Sequence, residues 1–493
     1  MGKAFIPPRG GRGSQTEGKS PVPSAYWQPP EKTKEPDSLW RYRPGGILLG
    51  WLDDVPIGVN DDRHLLLVAG ARAGKTSTLL IPNLTLYEGS TLVLDPKGEL
   101  ATATALHRRD TLGHTVRVLD PWGVALVPDD LRGKFDPLTA LMDADPRAVR
   151  DRVDDAALMA EALIQEHGEN NAHWTNAARD FLRAAILWFA HCGRDLGQLP
   201  ALLSDMMTVS DKTAEDDNPF LHMLEYGRTA DIPGDVAAVI RNAAEGTMGT
   251  QSRERSSILS TARNQLGFLE SGPLRDNLAK GDFSLRDLKR KPLTIYLCLP
   301  AARMETHAKW LRLILNMSMA ALEREPRRAD ALAVLLMLEE FAALGHMRAL
   351  EQAAAYMAGY GVKLWTVIQD LTQLKRHYKE GWETFIGNAG LLVAFGNSDQ
   401  TTLDYLSKRL GDTYSYVRET VSHGSGAGAA GAAPVRENFQ KAPLLAPHEI
   451  ALNFGRRHMR ALALMADGPP IAVDRHHLTA SEIAAGIGAK KHG

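Results

Sequence analysis

A run of small residues that ends in a lysine and a threonine is the strongest chemical signal in the sequence. Residues 69–77 read AGARAGKTS, and small residues let consecutive backbone N–H groups curl around a phosphate. In such a Walker A loop, Lys75 would reach the β- and γ-phosphates of ATP and the Thr76 hydroxyl would bind Mg²⁺. The residues predicted to bind the nucleotide are Gly70, Ala71, Arg72, Ala73, Gly74, Lys75, Thr76 and Ser77.

The first glycine position of this motif holds Ala69, so we expect Gly70 to supply the turn. The alternative is an ordinary glycine/alanine turn that precedes a lysine. The order of strand, loop and helix around the segment favours the phosphate loop.

Two adjacent carboxylates follow an apolar segment, AVLLML at 333–338. Carboxylates at the end of a buried strand are costly unless they face a cation or polar partners. We assign Glu339 to the magnesium shell through a water and Glu340 to polarising the attacking water. The motif usually begins with Asp, so the longer Glu339 would shift the metal geometry. The alternative is that both acids begin a solvent-exposed helix.

Two further polar residues follow predicted strands. Gln369 directly follows the segment VKLWTVI at 362–368. A polar amide at the C-terminal end of a strand in an open α/β sheet points towards the ligand crevice. We expect it to sense the γ-phosphate or orient water, although a helix N-cap neighbour is the alternative. Asp95 follows TLVL at 91–94; it would assist the metal site or serve the turn that Gly98 permits.

The elements that must position these residues alternate between strand and helix. Short apolar runs at 64–69, 91–95, 115–120, 293–299, 333–338, 362–368 and 391–395 predict buried parallel strands. Between 145 and 280 helical spacing dominates, over 149–165, 173–192, 199–207, 232–246 and 256–269. We therefore predict one α/β domain interrupted by an all-helical insertion.

Domain boundaries follow from these changes in pattern. We predict a basic flexible tail over 1–45, a nucleotide-binding domain in two parts over 46–144 and 285–480, an all-helical inserted domain over 145–284, and a loose tail over 481–493. Residues 422–434, a glycine/alanine stretch, predict a flexible surface loop.

Composition excludes several classes of protein. The 493 residues carry 57 Lys and Arg against 59 Asp and Glu, which excludes a strongly basic chromatin-type protein. The two cysteines, Cys192 and Cys298, lie far apart and form neither a disulfide framework nor a zinc motif. There is no apolar run of membrane-spanning length and no secretory signal core, so we expect a cytoplasmic protein.

Taken in order, the segments resemble the TraG-type coupling proteins of type IV secretion, within the HerA/FtsK-like group of P-loop ATPases. The resemblance extends from about residue 45 to residue 450. It depends on RHLLLVAGARAGKTS (63–77), IPNL (81–84), GSTLVLDPKGEL (89–100), VLDPWG (118–123), FDPL (135–138), HWTNAARDFLRAAIL (173–187), LEEFAALG (338–345), AGYGVKLWTVIQDLTQLKRHY (358–378) and NAGLLVAF (388–395).

The resemblance implies a RecA-like parallel sheet with an inserted all-α domain, and a homo-hexamer with ATP at subunit interfaces. It implies a DNA-stimulated ATP hydrolase that recruits and pumps DNA, with a relaxase or effector protein, to a type IV secretion channel for conjugation. Family members usually carry N-terminal transmembrane helices; here a basic Pro/Gly-rich segment stands in that place, so contact with the inner membrane would be peripheral and through partners.

Other interpretations remain open at this point. One is a HerA/FtsK-type DNA translocase unrelated to secretion, and another is a nucleotide-gated docking protein with little ATPase activity.

Ring ATPases also need an arginine from the neighbouring subunit. Many relatives carry a basic residue shortly before the sensor strand, where this chain has Tyr-Met-Ala at 356–358; the candidates are Arg348, Arg376 and Arg409.

Overall fold

The computed structural model describes residues 24–165, 172–210, 212–279, 281, 283–420 and 435–478. The chain divides into two compact units, one formed by residues 1–87 and 365–493 and the other by residues 88–364. Three predicted segments lie outside the described residues: the first part of the N-terminal tail (1–23), the glycine/alanine loop (422–434) and the C-terminal tail (481–493).

The strands and helices are numbered along the chain. The strands are β1 (Ile47–Leu52), β2 (Val55–Val59), β3 (His64–Ala69), β4 (Thr91–Leu94), β5 (Thr115–Leu119), β6 (Leu293–Leu297), β7 (Val334–Leu338), β8 (Val362–Ile368), β9 (Ala389–Phe395), β10 (Asp412–Thr420), β11 (Val435–Pro443), β12 (Arg460–Met465) and β13 (Ile471–Asp474). The helices are α1 (Pro30–Thr33), α2 (Ile81–Leu86), α3 (Glu99–Asp110), α4 (Pro137–Leu141), α5 (Pro146–Arg150), α6 (Arg152–Leu163), α7 (Ala172–His191), α8 (Leu199–Thr208), α9 (Pro219–Thr229), α10 (Gly234–Gly249), α11 (Ser252–Leu266), α12 (Gly272–Asn277), α13 (Asp287–Arg290), α14 (Met304–Arg324), α15 (Arg348–Tyr356), α16 (Leu371–Tyr378), α17 (Trp382–Gly387), α18 (Gln400–Leu410) and α19 (Pro447–Asn453).

In the first unit, β2, β1, β13, β12, β9, β3 and β8 lie side by side in that order. The strands β9, β3 and β8 are parallel, with Val68 opposite both Ala394 and Ile368. The other four form an antiparallel extension that joins β9 through β12. Because β3, β8 and β9 end together, the loops that follow them meet at one edge, which is where open α/β sheets bind ligands.

The helix after the phosphate loop is fastened to the antiparallel extension by one buried amide. Asn83 in α2 accepts a hydrogen bond from the Leu48 N–H at 2.8 Å and donates one to the Leu48 carbonyl at 2.8 Å. Leu48 lies at a register irregularity between β1 and β2. A fully buried amide that satisfies both backbone groups fixes the helix relative to the sheet, since leaving those groups unpaired costs free energy.

In the second unit, β7, β4, β6 and β5 lie side by side and are all parallel, with Leu94 opposite both Leu338 and Leu297. Between β5 and β6 the chain forms helices α4 to α13, and none of the described residues between 145 and 280 is in a strand. The predicted fold class, a parallel α/β sheet interrupted by a helical segment, is confirmed.

One buried arginine ties the two ends of the helical segment together. The guanidinium of Arg286, which is 7% exposed, lies 3.3 Å from the Asp143 carboxylate, 2.7 Å from Asp145 and 2.8 Å from Glu325. Asp143 and Asp145 stand where the chain enters the helical segment and Arg286 where it leaves. Removing one member would leave a buried charge uncompensated. The cluster therefore holds together the chain segments that precede and follow the helical segment.

Two predictions differ from the structure. Residues 24–45, part of the predicted flexible tail, pack on the first unit: Trp40 is 3% exposed and the Gln28 N–H donates to the Pro470 carbonyl at 3.0 Å. The predicted single helix over 149–165 is two helices, because Asp151 leaves the helical conformation between α5 and α6. Among the helices of the described residues, none combines the length and the apolar composition that spanning a bilayer requires.

Candidate nucleotide-binding site

The segment between β3 and α2 has the backbone of an anion-binding loop. Arg72 (φ 55°) and Gly74 (φ 85°) both adopt positive φ, and left-handed residues of this kind are typical of loops whose N–H groups surround an anion. A π-helical turn, Thr76–Leu80, then follows Lys75 and continues into α2, and the Thr78 N–H donates to the Gly74 carbonyl at 3.0 Å. Residues 74–77 are half-buried, so Lys75 and Thr76 stand at the mouth of the loop, where the helix N-terminus favours a bound anion.

Position 70 needs a glycine because another backbone segment lies close to it, and not because it forms the turn. A Cβ there would lie 2.0 Å from the carbonyl oxygen of Gly396, in the loop after β9. The Gly70 N–H donates to the Phe395 carbonyl at 3.1 Å, which continues the pairing of β3 with β9. Our expectation that Gly70 supplies the turn was therefore wrong, because the left-handed conformations fall at Arg72 and Gly74. Ala69 lies in β3, where alanine needs no unusual conformation.

Gln369 stands at the end of β8, half-buried, on the same edge of the first unit as the phosphate loop. Its backbone N–H donates to the Gln373 side chain at 2.9 Å, and its carbonyl accepts from the Asn397 amide at 3.0 Å. Asp370, not Gln369, is the N-cap of α16. The loops after β3, β8 and β9 thus bring the phosphate loop, Gln369 and Asn397 to one edge of the sheet.

Asn397 is a polar residue of this edge that sequence reasoning missed. It is 7% exposed, and its Oδ1 has no hydrogen-bond partner among the described residues. Its position directly after an apolar strand and a glycine, as in FGN at 395–397, is the signal that could have identified it.

In the second unit, Glu339 and Glu340 follow β7, and they do not begin an exposed helix. Glu339 is 5% exposed, while Glu340 is half-buried and adopts a left-handed conformation (φ 59°, ψ 40°) before a short 3₁₀ turn at Phe341–Leu344. A non-glycine residue in that conformation is strained, and such strain persists where the surrounding structure imposes it, most often at functional sites. The burial of Glu339 and the backbone conformation of Glu340 set these two carboxylates apart from the acids of an ordinary helix N-terminus.

Asp95 serves the turn, which is one of the two roles that the sequence left open. Its Oδ2 accepts the Ala101 N–H at 2.8 Å and so supports the turn into α3, while its Oδ1 has no hydrogen-bond partner among the described residues. The pKa of Asp95 is raised to about 7, mainly by burial and to a smaller extent by the charge of Glu339, while the backbone hydrogen bond from Ala101 acts to lower it. A carboxyl group beside Glu339 with one unused oxygen can take a proton or a cation.

We expect Asp95→Asn to stabilise the protein more at pH 8 than at pH 5. Between the ordinary aspartate pKa of about 4 and the folded value of about 7, the folded state binds more protons than the unfolded state, so stability falls as pH rises. Asparagine keeps the acceptor for Ala101 and removes the titration. Chemical denaturation with chelator present should show a gain of about 1–3 kcal/mol at pH 8. A gain that is equal at both pH values would contradict this assignment.

The candidate arginines for a neighbouring subunit's site are all exposed. Arg348 begins α15, Arg376 lies on α16 and Arg409 on α18, where it donates to the Tyr405 hydroxyl at 3.2 Å. A second residue beside this loop that sequence reasoning missed is Arg475, directly after β13, whose guanidinium donates a hydrogen bond to the Ala73 carbonyl. Its sequence context, AVDR at 472–475, gives no motif by which it could have been found.

The chain is similar in sequence to a known protein family and to several of its members. Residues 31–475 match the model of the family described as type IV secretory system conjugative DNA transfer. The chain is 28% identical over 397 residues to the protein VirD4 of Rhizobium rhizogenes, which covers 79% of this chain and 55% of VirD4. It is 26% identical over 406 residues to the conjugal transfer protein TraG of Escherichia coli, which covers 78% of this chain and 61% of TraG. The chain therefore spans a little over half the length of these relatives.

Solved structures share the fold at low sequence identity. The plasmid coupling protein TrwB in complex with ADP and Mg²⁺ superposes with a TM-score of 0.64 at 16% identity, covering 93% of this chain and 95% of that one. TrwB in complex with the non-hydrolysable ATP analogue ADPNP gives a TM-score of 0.62 at 15% identity, with 93% and 96% coverage. The fold is therefore that of TrwB, in which a RecA-like sheet carries a helical domain.

Proposed function

The chain belongs to the type IV secretory system conjugative DNA transfer family, and from that premise we propose that it is a coupling-protein ATPase. In this role it recruits DNA, or DNA with an attached relaxase or effector protein, and moves it towards a secretion channel. The observation that carries the proposal is the phosphate loop of residues 70–77, in a chain that matches this family from residue 31 to residue 475. The TrwB structures in complex with ADP and Mg²⁺ and with an ATP analogue share this fold, which supports nucleotide binding by this chain.

A hydroxyl and a carboxylate are oxygen ligands of the kind that Mg²⁺ takes beside a nucleotide's phosphates. From the sequence motifs we assign Thr76, in the first unit, and Glu339, in the second unit, to the magnesium ion. The buried Asp95 Oδ1 without a partner adds a further oxygen beside Glu339. When bound, Mg²⁺ would neutralise charge on the β- and γ-phosphates.

The protein's own groups then have separate tasks. Lys75 and the loop N–H groups hold the phosphates, and Glu340 accepts a proton from the attacking water. Gln369, whose backbone is fixed from both sides by Gln373 and Asn397, orients water or reports the γ-phosphate. An exposed arginine from the next subunit completes the charge stabilisation, with Arg348, Arg376 and Arg409 as candidates. We place this hydrolysis on the cytoplasmic side of the channel, with contact to the inner membrane through partner proteins.

If a neighbouring subunit completes the site, ATP turnover per chain should rise steeply as the chain assembles into a ring, a homo-hexamer in our proposal. The measurement is steady-state hydrolysis over a range of protein concentrations, with the oligomeric state followed by sedimentation velocity at each. Turnover should track the assembled fraction. Equal turnover per chain by dilute monomer and by assembled protein would contradict the requirement for a second subunit.

A further inference from the structure

Arg475 is a fully buried cation that the mechanism above does not use. Its side chain is 1% exposed, and its guanidinium carbon lies 3.5 Å from the centroid of the Phe395 ring, in β9. The backbone is fixed as well, since the Arg475 N–H donates to the Met459 carbonyl at 2.7 Å and the preceding residue, Asp474, pairs with Arg460 across β12 and β13. The two C-terminal strands therefore deliver this side chain to one place.

That place is the inner side of the phosphate loop. Nη1 of Arg475 donates to the Ala73 carbonyl at 3.1 Å and to the Thr78 hydroxyl at 2.8 Å, and that hydroxyl donates in turn to the Gly74 carbonyl at 2.7 Å. Because a trans peptide holds its C=O and N–H on opposite sides, a carbonyl of Ala73 turned towards Arg475 directs the Gly74 N–H away from it. The arginine thus holds the loop in the orientation that an anion needs.

The charge of Arg475 is not balanced within the described part of the chain. Its Nε and Nη2 have no hydrogen-bond partner there, and the neighbouring Asp474 carboxylate is engaged by Arg460 at 3.1 Å. Burial lowers the pKa of Arg475 to about 10, which leaves the group protonated at neutral pH. A buried cation without an anion is unfavourable, so an anion bound in the adjacent loop would relieve this cost and gain from the charge.

We propose that Arg475 is a positioning residue for nucleotide binding, which holds the phosphate loop open and supplies a buried positive charge to the phosphates of the nucleotide. The proposal rests on the proposed binding of ATP at this loop. It also assigns a role to β12 and β13, since these strands carry the arginine from the C-terminal part of the first unit to the loop.

The test compares charge with hydrogen bonding at this position. Dissociation constants for ADP and for a non-hydrolysable ATP analogue are measured at pH 7 for the wild type, Arg475→Lys and Arg475→Gln. Arg460→Gln is the matched control, because it removes an arginine from the adjacent strand that already has a carboxylate partner. We expect Arg475→Lys to bind within about threefold of the wild type and Arg475→Gln to bind roughly tenfold more weakly, with the control unchanged.

The outcomes separate the inference from the function on which it rests. Wild-type affinity in Arg475→Gln, or equal losses in the lysine and glutamine variants, would overturn the role of the charge while nucleotide binding stands. Absence of binding by the wild type would overturn both. If Arg475→Gln does not fold, a lysine variant that folds and binds at least tenfold more weakly is enough to overturn the proposal.

Discussion

Replacing Glu340 by glutamine is expected to stop ATP hydrolysis while the nucleotide stays bound. Glutamine keeps the length of the side chain but cannot accept the proton of the attacking water, and loss of a general base lowers turnover by about 10²- to 10⁴-fold. Affinity for ATP should change little, because the phosphate loop and Lys75 are intact. The measurements are steady-state hydrolysis and binding of a fluorescent ATP analogue on the same preparation.

The control for this variant is Glu380→Gln, an exposed glutamate in a different part of the chain. It removes the same charge from the protein and should hydrolyse ATP at the wild-type rate. Turnover by Glu340→Gln within about threefold of the wild type would exclude Glu340 as the group that activates water, since a base contributes far more than that. The left-handed conformation of Glu340 would then need another explanation.

The second large effect is expected from Lys75→Ala, which should lose nucleotide affinity as well as hydrolysis. A charge-assisted hydrogen bond to phosphate contributes about 1.5–3 kcal/mol, which corresponds to a loss of roughly tenfold to more than a hundredfold in affinity. Equilibrium binding and the nucleotide-induced rise in unfolding temperature measure this loss independently.

Lys408→Ala is the matched control for that experiment, since Lys408 is an exposed lysine on α18. It should bind ATP as the wild type does. A Lys75→Ala protein with unchanged affinity and a full nucleotide-induced stabilisation would show that the nucleotide binds elsewhere. The predictions for Glu340 and Arg475 would fail with it.

The local parts of this site could be predicted from the sequence because their signals are local. The strands that precede the phosphate loop and Gln369 were predicted at 64–69 and 362–368 and are found as His64–Ala69 and Val362–Ile368. Both are buried along their whole length, and such strands appear as nearly continuous apolar runs, here with His64, Lys363 and Thr366 as the polar exceptions. The roles of Lys75, Thr76, Glu339, Glu340 and Gln369 stay predictions.

The parts that could not be predicted depend on contacts between distant segments. Gly70 must be glycine because the carbonyl of Gly396 lies against it, and no pattern around residue 70 records that approach. The antiparallel strands β1, β2, β12 and β13 were not predicted, and their place beside β9 depends on pairing between segments far apart in the sequence, such as Trp51 with Asp474. The contact of Arg475 with the phosphate loop could not be predicted for the same reason, because about 400 positions of sequence separate it from Ala73.

The most direct test of the central claim is ATP hydrolysis by the purified protein without DNA, with single-stranded DNA and with double-stranded DNA, beside Lys75→Ala. We predict that DNA raises turnover and that the lysine variant abolishes it under all three conditions. Nucleotide binding by the wild type with turnover that DNA leaves unchanged would contradict a DNA-pumping ATPase. That result would favour a nucleotide-gated docking protein for secretion substrates.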